Sequence, residues 1–290
     1  MRKIVFPILL LLVINVFCRN NETSRKKVAK NEAEGKLFII GGGKKPTQML
    51  KNLAEISGVD STGYVIVLPM SSSIPDTSGY WISYDFKQVG VTNVRVFNFQ
   101  SESEMTQWRM DSLKNASLIY LTGGNQNTFM EIAENTPLVP AIQEAYAKGA
   151  TVAGTSAGAA LMSEKMITGD EYKHPEYTGN FRTIEADNIE LKPGLGLIKE
   201  AIVDQHFIKR MRLNRLISAI LENPEKIGIG IDESTAILVE DNTAKLYGIG
   251  QVIVIRNTRN EVKVKNGLMG GKDLKMSIYL PGETFKIKEN

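Results

Sequence analysis

Cysteine is all but missing from this chain. Cys18 is the only one in 290 residues, so no disulfide can form within it. Histidine is nearly as scarce, with His174 and His206 alone, so any chemistry that needs an imidazole has two choices. Neither charge sign is in excess. The formal net charge of +3 gives no electrostatic case for a nucleic-acid partner. His, Cys and carboxylates do not gather at metal-ligand spacing, and no metal site is expected. There is no internal repeat and no low-complexity core segment. The longest apolar run, Ile4 to Phe17, is too short for a comfortable membrane span.

That run follows Met1-Arg2-Lys3 and leads directly into Cys18. A basic start and a short apolar stretch read as an export signal over residues 1–18. The cysteine behind it fits a lipoprotein signal, with Cys18 becoming the acylated first residue. Asn15-Val16-Phe17 departs from that pattern, which wants a small residue before the cysteine. An ordinary cleaved signal with an incidental cysteine is the alternative. Both imply export, to the periplasm or as a membrane-anchored lipoprotein. Residues 19–35 are polar and charged and read as a flexible tether. Its Arg25-Lys26-Lys27 cluster reads as solvated linker. Residues 36–290 read as one domain.

Within that domain short apolar runs alternate with amphipathic stretches. Strands are expected at Leu37–Ile40, Tyr64–Leu68, Val94–Phe97, Leu118–Leu121, Thr151–Ala153 and Ala201–Val203. Later ones are expected at Gly228–Ile231, Ala236–Val239 and Val252–Ile255. Helices are expected at Pro46–Ser57, Gly79–Val89, Glu102–Lys114, Asn127–Glu134 and Pro140–Lys148. The fold class is therefore α/β, a mostly parallel central sheet with helices on both faces. Beyond Asp232 the chain is strand-rich, with turns at Asn242 and Asn257. Those strands would extend the sheet or form an antiparallel edge.

Gly154-Thr155-Ser156-Ala157-Gly158 matches G-x-S-x-G between an apolar strand and a small-residue helix start. Such a turn pushes the serine hydroxyl out of the sheet, and the Ala157 amide can face a developing oxyanion. A serine nucleophile needs a base. His174 sits in a polar stretch, Gly169 to Pro175, that reads as a surface loop. His206 follows the strand Ala201–Val203. In parallel sheets working groups gather beyond the carboxyl ends of strands, so Ser156 and His206 belong on one rim. The base needs a carboxylate, and Asp232 and Glu233 both follow the strand Gly228–Ile231; spacing does not choose between them. The order serine, histidine, acid disfavours an α/β-hydrolase, which runs serine, acid, histidine.

Thr122-Gly123-Gly124-Asn125-Gln126 also ends a strand and can bring a bare backbone close to substrate. Arg212 and Arg215 share a helical face, with Arg210 nearer the strand end. Guanidinium forks suit carboxylates, so an acidic substrate is indicated. A solvated basic face is the bland alternative. Gly41-Gly42-Gly43 follows a strand too, but it is not G-x-G-x-x-G and makes a poor nucleotide site.

Taken together, these residues resemble the cyanophycinase family, within the peptidase family S51 that also holds the aspartyl dipeptidases. The matching pieces are Phe38–Gly43, Leu121–Gln126, Gly154–Ala160, Pro193–Leu197, Asp204–Phe207 with the three arginines, and Gly228–Glu233. They cover nearly all of the chain after the tether. The resemblance implies a class I glutamine-amidotransferase-like (flavodoxin-like) three-layer sandwich with a Ser156-His206-Glu233 triad. It implies oxyanion amides at Gly124 and Ala157. A substrate pocket of Gln126, Asp204, Gln205, Arg210, Arg212 and Arg215 follows by position. Such enzymes hydrolyse cyanophycin, a poly-aspartate chain with arginine on each β-carboxyl, to β-Asp-Arg dipeptides. They often form homodimers and need no cofactor. An aspartyl or isoaspartyl dipeptidase is the nearest alternative; a non-catalytic surface lipoprotein binding acidic peptides is a third. Two features depart from the family pattern. Gly169–Leu191 is longer and more polar than expected, and Asn125 stands where Asp is common.

Overall fold

Alternation in a single strand decides how the layers stack. In the computed structural model, which describes Met1, residues 35–176 and residues 181–289, the first strand is β1 (Lys36–Ile40). Leu37 and Ile39 point to one side of it, Phe38 and Ile40 to the other, and all four are buried. The expected signal segment with Cys18, and nearly all of the tether, lie outside the described residues.

After β1 come α1 (Thr47–Ser57), β2 (Val65–Leu68), α2 (Pro75–Gln88), β3 (Val94–Val96), α3 (Gln107–Lys114) and β4 (Leu118–Leu121). Then follow α4 (Gln126–Ala133), α5 (Leu138–Ala147), β5 (Thr151–Thr155) and the short α6 (Ala157–Ala160). The second half has β6 (Lys165–Glu171), β7 (Ile189–Pro193), β8 (Ala201–Gln205), α7 (Leu213–Glu222), β9 (Ile227–Ile231) and β10 (Thr235–Glu240). It closes with β11 (Thr243–Gly248), β12 (Val252–Asn257), β13 (Lys263–Lys265), β14 (Leu268–Gly270), β15 (Leu274–Tyr279) and β16 (Thr284–Lys286).

The central sheet runs β3-β2-β4-β5-β1-β10-β11-β16. Its first five strands are parallel and the last three antiparallel. The fold is thus α/β around a large, mostly parallel sheet with helices on both faces. Phe38, Ile40, Val65, Val67 and Tyr120 pack against Met49 and Leu53 of α1 and Ile82 and Phe86 of α2. The opposite face, with Leu37, Ile39, Ile66, Leu121 and Val152, packs against α3, α4, α5 and α6.

One part of the sequence expectation is corrected. β8, β9 and β12 do not extend the central sheet. With β15 they form a second sheet, ordered β15-β12-β9-β8, in which only β8 and β9 are parallel. Val203, Ile229, Ile231 and Val254 turn inward and join the core under the central sheet. The far side of this second sheet carries α7. Ile227-Gly-Ile-Gly-Ile231 is built for the purpose: its isoleucines face the core, while a Cβ at Gly228 would lie 2.9 Å from Leu216 and Ile220 of α7. Smaller differences also occur. The helix expected over Glu102–Lys114 is split into a 3-10 turn, Glu102–Glu104, and α3, because the buried Met105 leaves helical geometry between them. The polar stretch Gly169–Leu191 carries the end of β6 and most of β7, which pair as an antiparallel hairpin.

Candidate active site

Three chain segments end at one place, and each reaches it from a different strand. β5 delivers Ser156, whose backbone sits at φ 54°, ψ −112°. That is a strained conformation for a residue with a side chain, and it is the backbone geometry a nucleophile elbow requires. β8 delivers His206, at φ 49°. Glu233 lies in the crossing from β9, in the second sheet, to β10, in the central one. Ser156 and His206 therefore lie on a rim shared by two packed sheets, not on the edge of one.

The side chains meet. Ser156 Oγ lies 2.8 Å from His206 Nε2, and His206 Nδ1 lies 2.7 Å from Glu233 Oε1. A carboxylate only accepts, so Nδ1 carries the proton and donates it to Glu233. Nε2 of the neutral ring is then the acceptor facing the serine hydroxyl. Burial lowers the His206 pKa below its ordinary 6.5; the Glu233 hydrogen bond opposes this, and the charges of Arg210 and Arg212 add to it. The hydrogen bond to His206 in turn holds the Glu233 carboxyl below its usual range. Asp232, the other acid candidate, does something else. Its Oδ1 accepts the N–H groups of Ile208 (3.1 Å) and Lys209 (2.9 Å) and pins the loop after His206. His174 is half exposed, 3.4 Å from Glu185, and is not part of this group.

A loop set aside in the sequence holds the three segments in register. Ile40 O accepts from Ser156 N at 3.0 Å, Gly41 O from His206 N at 2.7 Å, and Gly42 O from Ser234 N at 2.8 Å. Gly42 is at φ +109°, and a Cβ there would lie 2.4 Å from His206 Cε1. The signal that could have found this loop was its position: a glycine run ending a strand beside the one that ends at Ser156.

Gly123 and Gly124 end β4 next to the serine. A Cβ at Gly123 would lie 3.2 Å from Ser156 Cβ, and one at Gly124 would strike Ser71 O. The Gly124 N–H makes no hydrogen bond among the described residues. The Ala157 N–H is the first of α6 and has no intrahelical partner. Both candidate oxyanion donors are thus unspent.

A cavity of about 280 Å³ opens beside Ser156. Gln126, Gln205, Arg210, Arg212 and Arg215 line it, as the family resemblance implies, and so do Thr168, Gly169 and Asp170. Asp204 does not line it. It is fully buried behind the wall, bound to Arg215 through Nε–Oδ2 (2.7 Å) and a second Nη2–Oδ1 contact, with Arg212 3.8 Å away. Arg212 is held by the backbone and side-chain oxygens of Gln205. Gln126 spends its amide nitrogen on the carbonyls of Ile167 and Thr168, both at 2.8 Å. Arg210 is exposed and forms no ion pair among the described residues.

The sequence model of peptidase family S51 matches residues 37–247. A cyanophycinase of Trichormus variabilis is 32% identical over 263 residues, covering 87% of this chain and 85% of that one. A cyanophycinase of Geminocystis herdmanii is 31% identical over 241 residues, covering 78% and 82%. Among solved structures, a peptidase from an acI-B1 Actinobacterium superposes with a TM-score of 0.63 at 22% identity, over 87% of this chain and 96% of that one. At that identity the likeness speaks for the fold.

Two outcomes follow from this geometry. A general base at residue 206 would act as the neutral ring, so kcat/KM for peptide hydrolysis should fall with acid through an apparent pKa below 6.5; a pH–rate profile whose acid limb lies clearly above that value contradicts the desolvated ring. Gly42→Ala adds a methyl in strained backbone against the imidazole, at a cost of about 1–3 kcal/mol. The variant should melt lower and lose at least tenfold in kcat, read by thermal denaturation and single-turnover kinetics.

Proposed function

Because this chain belongs to peptidase family S51, we propose that it is a serine peptidase acting on cyanophycin through Ser156, His206 and Glu233, releasing β-Asp-Arg dipeptides. The observation that carries the reading is the continuous contact from Ser156 Oγ through the imidazole to Glu233 Oε1, 2.8 and 2.7 Å long, beside a cavity lined by guanidinium groups.

In this reading His206 Nε2 takes the serine proton as Oγ attacks the peptide carbonyl next to a β-linked aspartate. Glu233 holds the ring and stabilises the imidazolium. The Gly124 and Ala157 amides receive the oxyanion, each such donor being worth about 2.7–4 kcal/mol of barrier. His206 then gives its proton to the leaving amine, and water, activated by the same nitrogen, releases the acyl group. The exposed Arg210 is the best placed guanidinium for a substrate carboxylate, since Arg215 is committed to Asp204 and Arg212 to Gln205.

Ser156→Ala should cut turnover of cyanophycin by several orders of magnitude with an unchanged melting temperature. Mass analysis of the wild-type products should give β-Asp-Arg. Release of free aspartate from short β-aspartyl peptides, with the polymer untouched, would move the assignment to a dipeptidase. Turnover by the alanine variant close to that of the wild type would remove Ser156 as the nucleophile.

The proposal extends to the chain's setting on sequence grounds alone: an exported, Cys18-acylated homodimer. Labelled fatty acid should enter the wild-type protein in a bacterial host and not Cys18→Ser, and light scattering should give twice the monomer mass. Equal labelling of both proteins, or a monomer mass, would refute the corresponding part.

A further inference from the structure

The cavity beside Ser156 is lined by charges of both signs. Its guanidinium groups are those of Arg210, Arg212 and Arg215. Facing into the same cavity from another element is one carboxylate, Asp170. It is exposed and has no ion-pair partner among the described residues. The other acid near this wall, Asp204, is buried and spent on Arg215.

Asp170 reaches the cavity by a deliberate break in β6. Ile167 pairs with Leu191, and Glu171 with Ile189, so β6 uses four steps where β7 uses two. The residues between them are thrown out of the ladder. Such bulges re-aim side chains, and they recur next to active sites. Gly169 makes the turn at φ +102°. Thr168 Oγ1 accepts the Asp170 N–H at 3.2 Å, and Gln126 Nε2 grips the Ile167 and Thr168 carbonyls. Gln126 opens α4, two residues after Gly124. The bulge is therefore tied to the loop that carries Gly124, and the backbone of Asp170 is anchored beside the cavity.

We infer that Asp170 is a specificity-determining residue that binds a cationic side chain of the substrate, a guanidinium, inside the cavity. The inference rests on the reading given under Proposed function and adds a residue to it. A substrate of repeating β-Asp-Arg units brings carboxylates and guanidinium groups together, and the cavity offers a charge opposite to each. The planar guanidinium matches a carboxylate with two parallel hydrogen bonds. A site with only arginines would accept the α-carboxylate of each arginine branch and repel the guanidinium of the same branch.

The test compares wild type with Asp170→Asn on two polymers: cyanophycin, and cyanophycin whose guanidinium groups have been converted to the neutral ureido groups of citrulline. In the wild type, kcat/KM should be higher on the arginyl polymer. In Asp170→Asn it should fall on that polymer by about ten- to a hundred-fold, the range for losing a hydrogen bond to a charged group, mainly through KM. On the citrulline polymer the two proteins should agree within about twofold. An equal fall on both polymers would make Asp170 a structural residue, and no fall on either would make it a bystander; each overturns the inference. Calorimetric binding of β-Asp-Arg and β-Asp-citrulline dipeptides to both proteins gives a second reading that needs no turnover. If neither polymer is cleaved but wild type alone prefers the arginyl dipeptide, the proposed reaction fails while Asp170 keeps its role. If wild type shows no preference in binding, the role of Asp170 fails whatever the reaction.

Discussion

Three consecutive carbonyl groups hold this site together. Those of Ile40, Gly41 and Gly42 accept, in order, the backbone N–H groups of Ser156, His206 and Ser234. These donors come from segments far apart in the chain and from two different sheets. Backbone bonds of 2.7–3.0 Å fix where each segment starts, and the side chains then have little left to search. The arrangement demands the absence of a side chain at Gly42, where the imidazole of His206 occupies the space a Cβ would need. The glycines are thus space for the histidine, and no phosphate is needed to account for them.

Electrostatics follows from that placement. His206 is pressed into the protein, which weakens its basicity, and Glu233 restores part of it through a bond to the other ring nitrogen. The adjacent acid takes the backbone of the same loop. Asp232 and Glu233 therefore divide one task, orienting residue 206 from both its ring and its following turn. Arg215, in the cavity wall, pairs with the fully buried Asp204 behind it. Desolvating two charges is costly, and such pairs contribute little net stability. Its effect here is to engage Arg215, while Arg210 is the solvent-exposed charge.

The sequence made the chemistry more legible than the architecture. With two histidines in the chain and one in a polar loop, the sequence leaves His206 as the candidate base. The G-x-S-x-G turn and the acidic pair after Gly228–Ile231 were visible for the same reason: catalytic residue types at strand ends are uncommon. The second sheet was hidden. Ala201–Gln205 is fully buried and reads like any central strand, because local pattern reports burial and not which sheet does the burying. Only the glycines of Ile227–Ile231 hinted at it, since Gly228 makes room for α7 and Gly230 for Phe207. Asp170 was hidden for another reason. A two-residue excess in one strand of a hairpin appears only when the partner strand is known.

Backbone strain at the site is distributed with a pattern. Ser156, His206 and Ser234 all have φ near +50°, although none is glycine. Each costs of order 1–3 kcal/mol if left to itself. These are the same three residues whose N–H groups the Ile40–Gly42 carbonyls accept. Each strained residue is thus clamped at the bond that would otherwise rotate to relieve it. Ser156 and His206 each also follow directly on a fully buried strand, β5 or β8. Relaxing any one would break a loop bond and shift the next carbonyl along, which serves another member. The strain is therefore shared, and the three segments can relax only together. A site built this way should be rigid in the resting protein, with its preorganisation maintained by the core beneath the two sheets rather than by contacts with substrate.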